Sequence, residues 1–313
     1  MLRRSRDSKP YDNSEDRTRN EIESEQRADG ACRRVDLLLS AKNLEVTYGS
    51  RRRLFGPAAG GNKVLHGVDI DIRRGETVGI VGESGSGKTT LGRALLRLVD
   101  VSAGSIHFDG RDITHLPDSE MRPLRRRMQM IFQDPMASLN PRHTIRRILV
   151  EPLLLHKLAS DRKDAERRVA KILERVTLPQ ACLDRNPHEL SGGQRQRIGI
   201  ARAALLEPDF VLADEIVSGL DVSTQAQVLN LLKELSRDLG LSMAFISHDL
   251  SVIRAICDRV YVMRHGRVEE EGDCERVFAA PASAYTRMLL DAIPLPEIDP
   301  NWLGRDAEQE DAA

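Results

Sequence analysis

The stretch Gly82-Glu83-Ser84-Gly85-Ser86-Gly87-Lys88-Thr89-Thr90 decides how this chain folds. It follows the apolar run Thr77 to Val81 and leads into a helix-like segment, Leu91 to Leu98. The spacing matches G-x-x-x-x-G-K-[ST], the pattern of a phosphate-binding loop between a buried strand and a helix. Glycines let the backbone fold around a phosphate chain, and the N–H groups at the start of the helix then face the anion. The stretch therefore predicts a binding site for a nucleoside triphosphate.

Two side chains of this loop have predicted roles of their own. Lys88 brings a positive charge toward the β- and γ-phosphates, and the Thr89 hydroxyl is a candidate ligand of Mg²⁺. The alternative is an ordinary glycine and serine turn with an incidental lysine. The apolar strand before the loop and the helix after it weigh against that alternative.

The composition is that of an ordinary globular protein. The 313 residues are 40% hydrophobic and 30% charged, and the formal net charge of −1 provides no overall basic field to recruit nucleic acid. No apolar stretch approaches the roughly 20 residues that a membrane-spanning helix needs, so we expect any membrane role to come through a partner. The cysteines lie far apart without a C-x-x-C pair, which favours a reducing compartment. They are Cys32, Cys182, Cys257 and Cys274.

Strand and helix patterns alternate along the chain. Apolar and polar residues alternate as in half-buried strands, or form short apolar runs, at residues 44–48, 68–72, 105–108, 127–132, 210–213, 243–246 and 260–263. Asp109-Gly110 predicts a hairpin turn after the third of these, and Gly240 predicts the end of a helix over 225–239. Strands that alternate with helices predict an α/β fold with a mainly parallel sheet.

One region interrupts this alternation. Residues from about 134 to 205 read mainly as helix and predict an inserted helical subdomain. The following residues of this region lie on one helical face: Ala165, Val169, Ile172, Leu173 and Val176. Outside the folded part, the charged segment 1–36 predicts a disordered tail, residues 49–62 a surface loop, and 295–313 a flexible tail.

Two carboxylates follow the apolar run at 210–213. Asp214 and Glu215 would lie at the carboxyl end of a strand, which is where open α/β sheets bind ligands. Asp214 suits Mg²⁺, directly or through water, and Glu215 suits polarising the water that attacks the γ-phosphate. Without other motifs in the chain, two carboxylates after an apolar run more often belong to a solvated loop. Downstream of a phosphate-binding loop, the functional interpretation is favoured.

Leu190-Ser191-Gly192-Gly193-Gln194 predicts a second anion site. Ser191 is a good N-cap for the helix-like run that follows, and the glycines leave backbone N–H groups free. One nucleotide does not easily explain two such sites, unless they come from two subunits that face each other. His248 follows another strand pattern and could hydrogen-bond the γ-phosphate, although a lone histidine is more often structural.

Together these motifs resemble the ATP-binding subunits of ABC transporters, over residues 37 to 294. The matching features are the phosphate-binding loop, Gln133, LSGGQ at 190–194, FVLADE at 210–215, SGLD at 218–221 and His248. The resemblance implies an α/β P-loop NTPase fold: an ABC cassette with a mainly parallel core sheet, an antiparallel β subdomain and an inserted α-helical subdomain. It places the ATPase domain at 37–270 and a C-terminal extension at 271–294.

The resemblance also implies roles for single residues, with ATP and Mg²⁺ as cofactors. Tyr48 matches the aromatic that stacks on adenine. Gln133 matches the glutamine that senses Mg²⁺ and the γ-phosphate, and that connects to the membrane subunit. The segment Ser191-Gly192-Gly193-Gln194 would contact ATP bound to the opposite cassette. Asp221 matches the residue that crosses the dimer seam.

The chain departs from the family in one loop. The family usually reads D-E-P-T-S-A-L-D where this chain has Asp214-Glu215-Ile216-Val217-Ser218-Gly219-Leu220-Asp221. Both carboxylates are kept. We expect the loss of the proline and threonine to change the stiffness of the loop, which bears on the rate of hydrolysis.

Other stretches resemble the oligopeptide, dipeptide and nickel importer branch. Two of them are residues 133–142 and the C-terminal extension around Tyr285. The third is Arg53-Leu54-Phe55-Gly56. It is similar to a loop in the second of the two ATPase subunits that these importers often carry. The branch's usual His-Pro before the tyrosine is Ser283-Ala284 here. Some relatives hold an iron–sulfur cluster on a C-terminal cysteine group, but Cys274 stands alone and we expect no cluster.

The sequence thus predicts the ATPase subunit of a peptide-type importer, on the cytoplasmic face of a bacterial inner membrane. Its expected partners are a second ATPase subunit (identical or a sister), two transmembrane permease subunits and, indirectly, a solute-binding protein. A nickel or opine-like solute stays open. Met136 and Leu139 would either anchor a short helix of the membrane subunit or pack inside the insert.

Two other interpretations predict different properties. A soluble ABC ATPase of DNA repair or translation tends to have paired cassettes, coiled coils or basic arms. A partner subunit that binds ATP without hydrolysing it would be expected to lack some catalytic residues. Glu215, His248 and LSGGQ weigh against that second alternative, and Ile216 weighs mildly for it.

Overall fold

The computed structural model describes residues 37–49 and 61–292. The predictions for the N-terminal tail, for most of the 49–62 loop and for the C-terminal tail lie outside the described residues. So does the stretch from Arg53 to Gly56.

One of the two sheets is antiparallel, and its first two strands begin the described part of the chain. Its strands, in the spatial order β2-β1-β4-β5, are β1 Leu37–Tyr48, β2 Asn62–Arg73, β4 Ala103–Phe108 and β5 Arg111–Asp112. Asp109 and Gly110 connect the last two strands with φ angles of 52° and 74°. Two consecutive positive φ angles are what a type I′ hairpin turn requires. The predicted hairpin is confirmed.

The second sheet has six strands in the spatial order β10-β9-β3-β8-β7-β6. These strands are β3 Thr77–Val81, β6 Met128–Ile131, β7 Phe210–Asp214, β8 Ser242–Ile246, β9 Arg259–Arg264 and β10 Arg267–Asp273. Only β10 runs antiparallel to its neighbour; the other pairings are parallel. The mainly parallel sheet predicted from the alternation of strands and helices is confirmed.

The helices, in chain order, are α1 Lys88–Leu95, α2 Asp118–Arg127, α3 Pro135–Ser138, α4 Ile145–Leu155, α5 Arg162–Arg175, α6 Gly192–Ala204, α7 Val222–Leu239, α8 Leu250–Ile256, α9 Cys274–Ala279 and α10 Ala284–Asp291. Helix α7 begins three residues before the predicted start and ends at Gly240, whose φ of 63° is that of a left-handed cap. Within the described residues, no helix has both the length and the apolar character needed to cross a membrane.

The parallel sheet lies between two hydrophobic cores. Along β7, Leu212 faces the core that contains the antiparallel sheet and α1, whereas Ala213 faces the core that contains the inserted helices. Ile80 and Val81 on β3 divide in the same way. Because both faces are covered, these strands read as continuous apolar runs.

The inserted helices α3 to α6 pack against the second of these cores. The predicted apolar face of α5 is buried there, including Val169 and Leu173. Leu139 is also buried in this core, with a relative exposure of 1%. Of the two alternatives for Leu139, packing inside the insert is confirmed, and anchoring of a partner helix is wrong because the side chain is already buried. Met136 is half-buried.

Candidate functional site

The phosphate-binding loop connects β3 to α1, and its backbone depends on glycine. Gly82, Gly85 and Gly87 all have positive φ angles, of 144°, 82° and 102°. A Cβ atom on Gly82 would lie 2.1 Å from the carbonyl oxygen of Met263, so no side chain fits there. Gly87 is the N-cap of α1 and provides no side-chain cap. The first N–H groups of α1 are therefore available to an anion.

The Lys88 side chain lies inside this loop and is hydrogen-bonded to its backbone. Its side chain is buried (5% relative exposure), and Nζ donates hydrogen bonds to the carbonyl oxygens of Gly82 at 2.7 Å and Glu83 at 2.8 Å. Burial lowers the pKa of Lys88, while the nearby carboxylates of Glu215 and Asp214 oppose that shift. A desolvated ammonium group attracts phosphate oxygens more strongly than an exposed one does.

One buried polar atom of the loop has no partner among the residues that the structure describes. The Oγ atom of Ser86 is buried and makes no hydrogen bond within the described residues. Buried hydroxyl groups almost always have a partner. An anion in the loop would provide one, so the loop fits a nucleotide phosphate. Glu83, Ser84 and Gly85 are exposed at its rim.

Thr89 and Asp214 form a pair of oxygen donors beside the loop. The Thr89 hydroxyl donates to Oδ1 of Asp214 at 3.1 Å. Burial raises the pKa of Asp214, and the hydrogen bond from Thr89 acts in the opposite direction. A divalent cation would favour the ionised carboxylate. Mg²⁺ prefers such oxygen ligands and usually completes its shell with water and substrate phosphates. The two residues thus fit Mg²⁺ bound together with a nucleotide.

The described residues contain no group of three or more His, Cys, Asp or Glu that could hold a metal ion by itself. A magnesium site here would depend on the nucleotide for further ligands. Gln133, the third predicted magnesium ligand, donates from Nε2 to Oε2 of Glu215 at 3.0 Å. Gln133 is therefore hydrogen-bonded to Glu215, the residue next to Asp214.

Glu215 lies at the meeting point of three strand ends. Gln133 follows β6, Glu215 follows β7 and His248 follows β8, all at the carboxyl edge of the parallel sheet. Nδ1 of His248 lies 3.7 Å from Oε1 of Glu215. Glu215 has a φ of 49°, and its N–H group donates to the carbonyl oxygen of Ile246 at 3.0 Å. A left-handed backbone at a non-glycine residue is often found at functional sites. The structure brings the three predicted catalytic residues together.

The loop after Glu215 shows what replaces the family's proline and threonine. Ile216 and Val217 are buried in the core of the inserted helices. The Ser218 hydroxyl donates to the carbonyl oxygen of Glu215 at 2.8 Å. Apolar burial and this hydrogen bond hold the loop where the family uses a proline.

Tyr48 ends β1 and has a relative exposure of 42%. Two residues earlier, Val46 pairs with Leu65, and Leu65 Cδ2 lies 3.1 Å from the position of a Cβ atom on Gly87. Tyr48 is therefore at the end of β1 that adjoins the phosphate-binding loop. Its exposed ring is free to stack on a base.

The LSGGQ segment begins α6 as predicted. The Ser191 hydroxyl accepts from the Gln194 N–H at 3.3 Å, and the Gln194 side chain accepts from the Ser191 N–H at 3.1 Å. This reciprocal pair is a capping box. A Cβ atom on Gly193 would lie 3.0 Å from Cγ2 of Thr224, so the start of α6 touches the start of α7. The predicted N-cap is confirmed.

Asp221 caps α7 at that contact. It accepts from the Thr224 N–H at 2.9 Å and from the Thr224 hydroxyl at 2.7 Å. These hydrogen bonds lower the pKa of Asp221. Within the described residues, no recorded hydrogen bond joins this group to the phosphate-binding loop. We call residues 191–194, Asp221 and Thr224 the signature surface, and residues 82–90 with Gln133, Asp214, Glu215 and His248 the P-loop surface.

A cavity lies between the inserted helices and the parallel sheet. Its volume is about 730 Å³, and Gln129, Asn140, Leu155 and Arg202 are among the residues that line it. Leu155 has a relative exposure of 79%. Arg202 donates to the carbonyl oxygen of Ser138, and burial lowers its pKa. The cavity adjoins the stretch 133–142, although its exposed apolar residue is Leu155 and not Leu139.

Sequence reasoning missed the contact between Tyr285 and the P-loop surface. The Glu83 N–H group donates to the Tyr285 hydroxyl at 3.3 Å. The two residues are 202 positions apart, and Tyr285 belongs to the C-terminal extension. The sequence signal was the resemblance of the extension to the importer branch. That resemblance indicated a related protein but gave no role for Tyr285.

Comparison with known proteins agrees with this geometry. Residues 65–218 match the family model described as ABC transporter. A peptide import ATP-binding protein from Brucella ovis is 54% identical over 262 residues, which cover 84% of this chain and 80% of that protein. An oligopeptide transport ATP-binding protein from Bacillus subtilis is 46% identical over 263 residues, which cover 83% and 85%.

Among solved structures, the ATP-binding cassette MJ0796 is similar, as a dimer in a post-hydrolysis state bound to ADP and Pi. The TM-score is 0.66 at 29% identity, covering 75% of this chain and 98% of that one. Fold and site together define a P-loop NTPase of the cassette type. The chain belongs to the ABC transporter family and has the fold of its ATP-binding subunits, as the motifs predicted.

Proposed function

We propose that this chain is the ATP-hydrolysing subunit of an importer that takes up peptides or a similar small solute. The observation that carries the ATPase assignment is the convergence of Gln133, Glu215 and His248 beside the P-loop. Support for the solute class comes from the two relatives, one named for peptide import and the other for oligopeptide transport.

In the proposed mechanism, the P-loop N–H groups and Lys88 bind the β- and γ-phosphates. Thr89 and Asp214 would hold Mg²⁺, with Gln133 beside them. The ion would neutralise charge on the phosphates. Preorganised donors of this kind stabilise the charge that is spread over the transferring phosphoryl group.

Glu215 is positioned to act on water. Gln133 holds one carboxylate oxygen at 3.0 Å, and His248 approaches the other at 3.7 Å, so the side chain has a defined orientation. We propose that Glu215 orients the attacking water and accepts its proton. His248 would then hydrogen-bond the γ-phosphate.

We further propose that the signature surface acts on the ATP of a second cassette, identical or a sister subunit. In this chain Ser191 and Gly192 are exposed at the N-terminus of α6, where the first N–H groups have no intrahelical partner, which suits an anion from outside. ATP would hold the two cassettes together, and hydrolysis would release them. The resulting movement would couple ATP turnover to transport.

We propose that this chain binds two transmembrane permease subunits at the cytoplasmic face of the inner membrane, with a solute-binding protein as an indirect partner. The cavity next to residues 133–142 supports this proposal, because it contains exposed apolar surface at Leu155 and is lined by Ser138 and Asn140 of that stretch. A short amphipathic helix from a permease would suit such a groove.

Sedimentation tests the two-cassette proposal. In the Glu215→Gln background, ATP with Mg²⁺ should convert a monomer into a dimer, either alone or when mixed with a sister subunit. Ser191→Arg should prevent this association because it adds a bulky cation at the surface that receives the nucleotide. If ATP changes the sedimenting mass neither of the chain alone nor of its mixture with a sister subunit, the two-cassette proposal is wrong.

A further inference from the structure

We propose that Tyr285, in the C-terminal extension, is a positioning residue for the P-loop. It acts through the peptide unit between Gly82 and Glu83. The N–H of this unit donates to the Tyr285 hydroxyl at 3.3 Å, and its carbonyl oxygen accepts from Lys88 Nζ at 2.7 Å. This inference rests on the nucleotide site proposed above.

The peptide unit links the two side chains because it is planar. A hydrogen bond at its N–H group restricts rotation of the whole plane, and therefore also fixes the direction of its carbonyl group. That carbonyl holds Lys88 in the loop. The next carbonyl, of Glu83, accepts from Lys88 at 2.8 Å and from the Ser86 N–H at 3.2 Å. Tyr285 thus fixes the first turn of the loop that must present Lys88 to the phosphates.

The Tyr285 ring is itself firmly held. Its relative exposure is 4%, and the Arg264 guanidinium lies over the ring at 4.7 Å from the centroid. The Glu270 carboxylate accepts from the N–H groups of Ala282 at 2.8 Å and Ser283 at 3.0 Å, which fixes the turn before α10. A hydroxyl group on such a rigid support can orient a backbone group at little further entropic cost.

The hydroxyl oxygen remains a neutral acceptor at physiological pH. Burial raises the pKa of Tyr285, so the phenol stays protonated. The alternative is that Tyr285 only packs the extension against the core. A phenylalanine ring would serve that packing role as well, since it loses only the oxygen atom. The two roles are therefore separable by one substitution.

The test compares Tyr285→Phe with Tyr261→Phe. The Tyr261 hydroxyl is also buried, but its partners are the backbone of Asp71 and the side chain of Arg259 at 2.9 Å, away from the P-loop. Amide hydrogen exchange of the nucleotide-free protein is the first measurement. Tyr285→Phe should speed exchange in peptides that cover residues 80–88, and Tyr261→Phe should leave those peptides unchanged.

Titration with a fluorescent ATP analogue in Mg²⁺ is the second measurement. The loss of one neutral hydrogen bond that positions the loop should weaken binding by about two- to tenfold. The KM for ATP should rise more than kcat falls, because binding to ground state and transition state weakens together. Unchanged exchange and unchanged affinity in Tyr285→Phe would overturn the proposal, as would equal effects in Tyr261→Phe.

Lys88→Ala separates this inference from the proposed function. If Lys88→Ala binds the ATP analogue as tightly as the parent, the nucleotide site itself is wrong. If Lys88→Ala loses binding while Tyr285→Phe matches the parent in both measurements, the nucleotide site stands and only the role of Tyr285 is wrong.

Discussion

The P-loop surface and the signature surface satisfy their polar groups in opposite ways. On the P-loop surface, Lys88 and Asp214 are buried, and the Ser86 hydroxyl has no partner within the described residues. On the signature surface, Ser191 and Asp221 are exposed, and their side chains are hydrogen-bonded to the helices that they begin. The P-loop surface thus has desolvated charged groups and one hydroxyl without a partner in the described residues, whereas the capping side chains of the signature surface are already hydrogen-bonded.

This difference indicates how each surface can act. Desolvated and unpaired groups have more to gain from a ligand, because the cost of removing them from water has already been met during folding. The side chains of a capping box are already hydrogen-bonded within the chain. What the signature surface can still offer a ligand is the set of N–H groups at the exposed start of the helix. The P-loop surface is thus suited to bind nucleotide within one chain, whereas the signature surface becomes useful only against a second molecule.

The largest expected effect concerns Glu215 on the P-loop surface. Glu215→Gln should lower the rate of phosphate release by about 10²- to 10⁴-fold, as expected when a general base is lost. ATP binding should stay near the parental value, because the phosphate contacts of Lys88 are kept. Phosphate release and equilibrium ATP binding measure the two effects.

Glu207→Gln is the matched control for that substitution. Glu207 has the same φ of 49° as Glu215, but its recorded ion pair is with Arg168 at 3.7 Å, away from the P-loop surface. The control should hydrolyse ATP like the parent. A parental hydrolysis rate in Glu215→Gln would show that the catalytic assignment is wrong.

A second prediction compares the two surfaces through the pH dependence of stability. Burial raises the pKa of Asp214 above its usual value of 3.8, so the ionised form destabilises the nucleotide-free fold. This cost is absent below the unfolded pKa and appears as the pH rises through the folded pKa. Asp214→Asn should therefore melt at a higher temperature than the parent at pH 7, and the gap should close as the pH falls below about 4.

Asp221→Asn should show the opposite sign. Hydrogen bonds from Thr224 lower the pKa of Asp221, so its contribution to stability is present above the unfolded pKa and is lost as the pH falls through the folded pKa. At pH 7 this variant should melt slightly below the parent. Thermal melting by circular dichroism across pH 3 to 8 measures both variants. Shifts of the same sign would contradict the contrast between the two surfaces.

The smallest expected effect is that of Ser191→Ala. Removal of this N-cap should destabilise the nucleotide-free chain by about 1 kcal/mol. Ser191→Asn, which keeps a good capping side chain, should restore most of that stability. Urea unfolding of the three proteins measures the difference. Equal stability in all three would show that the capping box contributes nothing to the fold.

Much of the fold and part of the site could be predicted from short segments. The Asp109-Gly110 turn, the Gly240 helix end and the Ser191 cap depend on backbone conformations or hydrogen bonds within a few residues. Leu139 was ambiguous because an apolar residue in a helical region can face a partner or the core. Only its packing in the insert decided between these outcomes.

The sequence by itself determined the P-loop, its flanking strand and helix, the two carboxylates after β7 and the family, because these features depend on residue types at fixed local spacing. The tertiary structure alone decided which distant residues meet. Gln133, Glu215 and His248 converge because parallel pairing aligns the ends of three strands, and Tyr285 reaches Glu83 because the C-terminal extension packs back toward β3. Such contacts depend on strand order and on which faces are buried, and local sequence patterns contain no direct record of either.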